Sequence, residues 1–299
     1  MANDTSRKLR EFARAYRITN GARFHLKDVD PGDTAKLESS DSAAKFLDQG
    51  RERLADLQEK LFAQDRFGVL LIFQAMDAAG KDGTIKHVMS GVDPQGVQVH
   101  SFKAPSHEEL DHDFMWRALY RLPERGRIGI FNRSYYEDVL VVRVHPEILA
   151  ANKIPGPLVT KKIWQERFED IGAFERYLAR NGYLILKFHL HVSRAEQKRR
   201  FLARLAEPAK NWKFAAGDVK ERGHWDDYMA AYEDMIRNTA ADHAPWYVVP
   251  ADHKWFTRMV VAAAIVDALD GLELSLPKID APRQRELATA KRMLQREKG

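Results

Sequence analysis

Between Phe67 and Ile85 the chain reads FGVLLIFQAMDAAGKDGTI, and no other stretch limits the fold as tightly. Val69-Leu70-Leu71-Ile72-Phe73 is an apolar run of the length of a buried strand. Ala75, Ala78, Ala79, Gly80 and Gly83 then form a small-residue loop, Lys81 follows Gly80 directly, and Thr84 to Met89 suits a helix. Strand, small-residue loop, Gly-Lys and helix are the layout of a phosphate-binding P-loop. Inward-facing backbone N–H groups, the helix N-terminus and the lysine charge all favour phosphate oxygens. The expected phosphate- or nucleotide-binding residues here are Ala78, Ala79, Gly80, Lys81, Asp82, Gly83 and Thr84.

The loop departs from G-x-x-x-x-G-K-[ST] in three ways. Ala75 holds the first glycine position, Asp82 the hydroxyl position, and an extra acid, Asp77, lies inside the loop. Thr84, two residues on, is the nearest hydroxyl to the missing one. A carboxylate among phosphate-binding amides repels the ligand unless a metal ion lies between them. The bland alternative is a strand-to-helix turn of small residues with Lys81 on the surface.

With 299 residues the chain has room for one large domain or two small ones. At 44% hydrophobic and 30% charged it reads as globular. The absence of cysteine excludes a disulfide framework, a thiolate metal site and a cysteine nucleophile. No apolar run approaches membrane-spanning length and Met1-Ala2-Asn3-Asp4 does not resemble a signal peptide, so a cytoplasmic protein is expected. The net charge of +5, from 48 basic and 43 acidic residues, suits an anionic partner if the basic side chains cluster.

Further strands are expected at 97–102, 127–132, 183–191 and 246–250, and helices at 7–16, 42–64, 106–122, 158–180, 259–269 and 282–296. Residues 25–32 read as an extended arm ending in a turn. Strands separated by helices predict an α/β sandwich of three layers around a five-stranded parallel sheet. Residues 195–241 differ: they are helical and charged, with Trp212, Phe214, Trp225, Tyr228 and Tyr232 interleaved. In a P-loop kinase this is the place of a lid. As a plain helix pair, its aromatics would simply hold it to the core.

The third strand runs into Phe131-Asn132-Arg133-Ser134-Tyr135-Tyr136-Glu137-Asp138. Ligands of open α/β sheets bind beyond the carboxyl ends of the strands, which brings Asn132 and Arg133 beside the P-loop. Arginine can fork two phosphate oxygens, as lysine cannot. A strand-to-helix turn capped by Ser134 is the structural alternative.

At this point the chain resembles the family-2 polyphosphate kinases, from about residue 28 to 269. The resemblance rests on QAMDAAGKDGT (74–84), FNRSYYEDVLVVRVHPE (131–147), SRAEQKRRFLARL (193–205), NWKFAAGDVKER with WDDYMAAYEDMI (211–236) and APWYVVPADHKWFTR (244–258). Many members carry Asp at the place of Asn132 and Gly at the place of Ala75. Ala75, Asn132 and the Glu137-Asp138 pair together are similar to class III, the subgroup that phosphorylates both AMP and ADP. The resemblance implies one P-loop kinase domain over 1–299, with an N-terminal arm (about 1–65) and a helical lid (about 195–241). It implies reversible, Mg²⁺-dependent transfer of the terminal phosphoryl group of inorganic polyphosphate to AMP and ADP, with Mn²⁺ as a substitute ion.

By the same resemblance Asp77, Lys81 and Arg133 are the expected catalytic residues, and Asp77, Asn132 and Glu137 the expected metal ligands. Asn132, Arg133, Glu137 and Asp138 join the phosphate- and nucleotide-binding set. Arg194, Arg199, Arg200, Arg204, Lys210 and Lys213 are expected along the polyphosphate donor or on the lid. The partners implied are polyphosphate and nucleotides (AMP, ADP, ATP), with no nucleic acid and no membrane, in a homo-oligomer, dimer or tetramer. A P-loop kinase that takes ATP as donor to a nucleotide or other small acceptor would share nearly all of this site. A nucleic-acid binder using the basic, aromatic segment is the non-enzymatic alternative.

Overall fold

The sheet is built on the apolar run that opens the P-loop motif. In a computed structural model that describes residues 2–37, 40–214 and 216–297, six strands pair: β1 (Arg17–Ile18), β2 (Gly68–Gln74), β3 (Val97–Ser101), β4 (Ile128–Asn132), β5 (Tyr183–His191) and β6 (Trp246–Pro250). Their order is β1-β6-β5-β2-β4-β3. All residues of β2 and β6 are buried, as in strands covered on both faces. The five longer strands are parallel and match the expected ones. The expected count of five is corrected to six by β1, which pairs antiparallel with β6 through Arg17 with Tyr247 and Ile18 with Trp246. Two residues carry no alternation from which a strand could be read.

The longer helices are α1 (Ala2–Ala15), α2 (Ser40–Gln64), α3 (Lys81–Val88), α4 (Ile163–Arg180), α5 (Arg194–Ala206), α6 (Trp225–Thr239), α7 (Lys254–Asp270) and α8 (Ala281–Arg296). Helix α7 packs against α1, α2 and α3, while α4 packs against α6. Four expected boundaries are corrected, the first being α1, which begins at Ala2, not Arg7. The helix expected over 106–122 is two single turns, His107–Leu110 and Trp116–Leu119. Ser106 and Glu109 close a capping box on the first. Asp113 then interrupts the run by accepting a hydrogen bond from the Met115 N–H (2.9 Å), a local contact that competes with helix. Helix α4 begins at Ile163, not Leu158, and α7 begins at Lys254, not Met259.

Beneath the carboxyl edge of the sheet lies a polar cluster that the apolar pattern conceals. Lys187 on β5 is fully buried and donates to Glu175 Oε2 (2.6 Å), the Tyr136 hydroxyl (3.0 Å) and the Thr239 carbonyl (2.8 Å). The hydroxyls of Tyr135 and Tyr136 both donate to Glu175 Oε1, at 2.9 and 2.7 Å. Such groups are tolerated inside because each finds a partner. None of the described helices is long and apolar enough to cross a membrane.

Candidate active site

Strand β2 lies between β5 and β4, so its following loop emerges at the middle of the carboxyl edge. Gly80 caps α3 with φ 109°, a conformation that glycine adopts without strain. Ala78 (φ 60°) and Arg133 (φ 66°) take left-handed conformations with side chains, a strain that concentrates at functional sites. Lys81, in the first turn of α3, folds back and donates from Nζ to the Ala75 carbonyl at 2.7 Å. Burial, then the Arg133 charge, pushes Lys81 down to about 8, against the pull of Asp77, Glu137 and Asp82. Thr84 is buried in the same turn.

The two sequence motifs interlock here. Arg133 pairs with Asp77 Oδ1 (2.7 Å) and Glu137 Oε2 (3.2 Å). The Glu137 carboxylate, with Asp77, holds the Arg133 guanidinium above its ordinary range against burial. The Asn132 amide donates to Asp82 Oδ1 at 2.8 Å. Gln74, with its amide turned to suit its neighbours, donates to Glu137 Oε1 at 2.8 Å. Asp77 and Glu137 thus flank Arg133 while Asp82 meets Asn132, oxygen-bearing side chains that are hard donors of the kind Mg²⁺ takes.

Asp138 turns away from this group. It is buried beside Arg167 (3.8 Å), and burial pushes its carboxyl up to about 6 despite Arg167 and Arg117. A cavity of about 970 Å³ opens past Arg133, Glu137 and Asp138. Phe102, Phe114 and Ile163 supply apolar wall, and Lys103, Arg117 and Arg167 supply positive charge. Arg167 Nη1 donates to the Asp138 carbonyl, its Nη2 has no partner among the described residues, and the guanidinium lies over Phe114 at 5.1 Å. Nothing in the sequence marked these three cations. They come from separate elements with no motif spacing, and Arg167 sits in the second turn of α4 between Glu166 and Phe168.

The basic residues expected near the donor divide. Arg200 is buried and donates to the carbonyls of Ala78 (3.0 Å), Ala79 (2.6 Å), Ala251 (2.6 Å) and Asp252 (3.1 Å). It holds the loop to the end of β6. Gln197, one turn before, donates to the Asp77 carbonyl at 2.8 Å. Arg199 is exposed and forks Glu196 at 2.6 Å through two nitrogens. Arg194 begins α5 and reaches the Arg222 carbonyl at 3.5 Å, and Arg204 lies over the Phe201 ring at 5.7 Å. Lys210 and Lys213 fall in the six-residue 3₁₀ stretch Pro208–Lys213, and their side chains lie outside the described residues. Trp225, Tyr228 and Tyr232 are buried in the core, not displayed for a ligand.

A family model described as Polyphosphate kinase 2 matches residues 36–276. The ADP-polyphosphate phosphotransferase of Rhodopseudomonas palustris is 52% identical over 284 residues, covering 93% of this chain and 97% of that protein. The AMP/ADP-polyphosphate phosphotransferase of Meiothermus ruber is 46% identical over 264 residues, 88% of this chain and 95% of that one. The crystal structure of Polyphosphate Kinase 2 from Arthrobacter aurescens TC1 superposes with a TM-score of 0.84 at 42% identity, covering 93% of this chain and 96% of that one.

Proposed function

This chain belongs to the Polyphosphate kinase 2 family and is a kinase, and from that premise we propose that it transfers the terminal phosphoryl group of inorganic polyphosphate to AMP and ADP. The observation that carries the reading is Arg133, which bridges Asp77 of the phosphate loop to Glu137 at the mouth of the 970 Å³ cavity. One side of this bridge suits a polyanionic donor and the other a nucleotide acceptor. The terminal donor phosphates lie over the loop amides of 78–84 and Lys81. The acceptor base lies against the Phe102 and Phe114 side of the cavity, with its phosphates turned toward Arg117, Arg167 and Arg133.

Phosphoryl transfer asks for positioning and charge neutralisation more than covalent chemistry. A terminal oxygen of the acceptor phosphate forms the new P–O bond. The bond from the transferred phosphorus to the bridging oxygen breaks, and the shortened polyphosphate leaves with that electron pair. Lys81 and Arg133 neutralise the charge that spreads over the transferred group, and Asp77 orients the attacking oxygen. A divalent cation, Mg²⁺ with Mn²⁺ as substitute, supplies further neutralisation when bound, held by Asp77, Asn132 and Glu137. Among the described residues no three carboxylates or imidazoles converge as a closed metal site. Mg²⁺ typically keeps waters and shares its sphere with substrate phosphates. The helical segment over about 195–241 acts as the lid in this reading, with Arg200 of α5 fastened to the phosphate loop. Exposed Leu287, Met293 and Leu294 on α8 support a homo-oligomer, dimer or tetramer. The reaction is reversible and cytoplasmic in this reading.

The test is product formation from AMP and from ADP with polyphosphate as sole phosphoryl donor. ADP and ATP are the expected products. Product with ATP as donor but none with polyphosphate would return the site to an ordinary nucleotide kinase.

Lys81 must carry its proton to neutralise phosphate. Its folded value of about 8 lies below the usual lysine value, so the cation is present below pH 8 and lost above it. kcat/KM for donor, which reports the free enzyme, is expected to fall as pH rises through about 8. In Lys81→Arg the fall should disappear, whatever the residual rate. The same descending limb in that variant would assign the titration elsewhere.

Glu137 and Asp138 face different groups, and AMP and ADP place their attacking oxygens at different depths. Glu137→Ala and Asp138→Ala are therefore expected to alter kcat/KM for AMP and ADP unequally in at least one case. Equal effects on both acceptors in both variants would remove these residues from acceptor choice.

A further inference from the structure

The second motif ends in a histidine that the reaction described above does not use. His145 lies at the junction of two short helices, Val141–Val144 and Pro146–Ala151, downstream of the turn that carries Glu137 and Asp138. Its Nε2 meets Glu221 Oε2 at 2.9 Å, and its Nδ1 meets Glu147 Oε1 at 3.2 Å. A neutral imidazole donates from one nitrogen only, so both carboxylates are satisfied only by the imidazolium. Glu221 ends the short helix Ala216–Glu221 and also accepts from the Tyr228 hydroxyl of α6 at 2.7 Å. The His224 ring stands 5.0 Å from the His145 ring, and its Nδ1 faces Asp227 at 3.5 Å. Arg143, on the helix before His145, is engaged by Asp234 of α6 at 2.6 Å. These are the titratable and charged groups that the structure places around the ring. Burial works against its charge, but Glu221 and Glu147 outweigh burial and hold His145 above the ordinary histidine value. Burial would raise Glu221, yet Tyr228, His145 and His224 hold it below the ordinary carboxylate value.

The next residue after Glu221 carries this contact to the phosphate loop. Arg222 Nη1 donates to Gln197 Oε1 at 2.6 Å and to the Arg194 carbonyl at 3.1 Å. Gln197 is 1% exposed, and its amide nitrogen donates to the Asp77 carbonyl at 2.8 Å. Both ends of that buried amide are occupied, one by Arg222 and the other by the loop. A buried polar atom left without its partner costs free energy, so a displacement of Arg222 is felt at Gln197 and through it at Asp77. Asp77 in turn supplies the carboxylate that fixes Arg133.

We propose that His145 is a positioning residue whose imidazolium clasps Glu221 and so holds Arg222, Gln197 and the Asp77 end of the phosphate loop in place. The proposal rests on the reading of that loop as the reacting centre and goes beyond it by tying the loop to a proton at His145. The sign follows from the contacts. A ring held above its ordinary value contributes its clasp fully below that value and loses it as pH rises through the raised one. Losing the clasp loosens the loop and removes no reacting charge, so the rate steps down from one plateau to another. The fall set by Lys81 has no lower plateau. The step is thus separable from it and survives in Lys81→Arg.

The experiment follows wild type, His145→Gln and Glu221→Gln in two ways, with His107→Gln, exposed and outside the cluster, as control. The first is NMR titration of the His145 ring without substrate. Wild type is expected to titrate above the ordinary histidine value, and Glu221→Gln closer to it. The second is kcat/KM for polyphosphate against pH. Wild type and His107→Gln are expected to step down about threefold across the ring titration, the scale of a partly exposed ion pair. His145→Gln and Glu221→Gln should lack the step and run at the lower plateau throughout. Circular dichroism melting identifies any variant that has lost its fold, and if His145→Gln is one, Glu221→Gln decides. A wild-type ring that titrates at or below the ordinary value would overturn the clasp. A raised titration with no step in rate, or a step that persists in His145→Gln, would overturn its coupling to the loop. The ring titration needs no donor, so a failure of the polyphosphate reading is seen separately, as absence of product from polyphosphate at every pH.

Discussion

Turnover of Lys81→Met is expected to fall by roughly a thousandfold, with the fold retained. Methionine keeps the volume of the buried stem and deletes only the ammonium group. That group is preorganised: it is held on the Ala75 carbonyl, in the first turn of α3, and buried. Removing one preorganised charge from a site where charge develops typically costs about 3–4 kcal/mol. Asp77→Asn should cost a comparable amount for a different reason. It leaves Arg133 with Glu137 as its one carboxylate, so the guanidinium swings toward the β4 side and the acceptor oxygen loses its orienting group. The measurement is kcat at saturating donor and acceptor, beside a melting curve. A folded variant at either position with near-normal kcat would take that residue out of the chemistry.

The largest expected stability effect lies away from the reacting atoms. Lys187→Met should destabilise the protein by about 3–5 kcal/mol, the usual cost of leaving a buried charge without its partner. Glu175 would keep two tyrosine donors and no cation, in a place where it is 1% exposed. Burial already presses Lys187 toward its neutral form, and Glu175 opposes that pressure. Replacing both, as Lys187→Met with Glu175→Leu, should recover much of the loss, because a buried pair exchanged for apolar side chains is often neutral. Urea unfolding of the two single variants and the double variant gives the comparison. A single-variant loss below about 1 kcal/mol, the scale of a surface pair, would mean that water reaches the cluster. Tyr135 and Tyr136 follow Arg133 after a single residue, Ser134, so this cluster also anchors the turn that presents Arg133.

The parallel sheet was legible because strands buried on both faces read as unbroken apolar runs, as Val69 to Phe73 and Leu184 to Leu186 do. The meeting of Lys81 with Arg133 was legible for a topological reason: both follow strands that end on the same edge. Other features depend on what a side chain faces, which spacing does not record. Arg199 and Arg200 are adjacent and alike in sequence, yet one is on the surface and the other is bound to four backbone carbonyls. Arg117, Arg167 and Lys103 meet in the cavity only because the chain between Phe102 and Met115 abandons helix at Asp113. Asp138 looked like a companion of Glu137, but a single-residue step around the turn sends the two carboxylates to different arginines.

The antiparallel strand β1 bears on how the protein behaves at high concentration. Trp246 to Pro250 is a run of aromatic and β-branched residues, and without β1 its outer edge would present unpaired N–H and C=O groups. Such an edge is a template for another chain to add to. Two residues, Arg17 and Ile18, cover part of it, and the charge of Arg17 discourages stacking onto the cover itself. The opposite edge, β3, is protected differently, by its shortness and by Gln98, His100 and Ser101 among its five residues. Colloidal stability of the folded protein therefore depends heavily on a segment far from the chemistry, and a shortened chain that lacks Arg17 and Ile18 is expected to self-associate through the bared edge of β6.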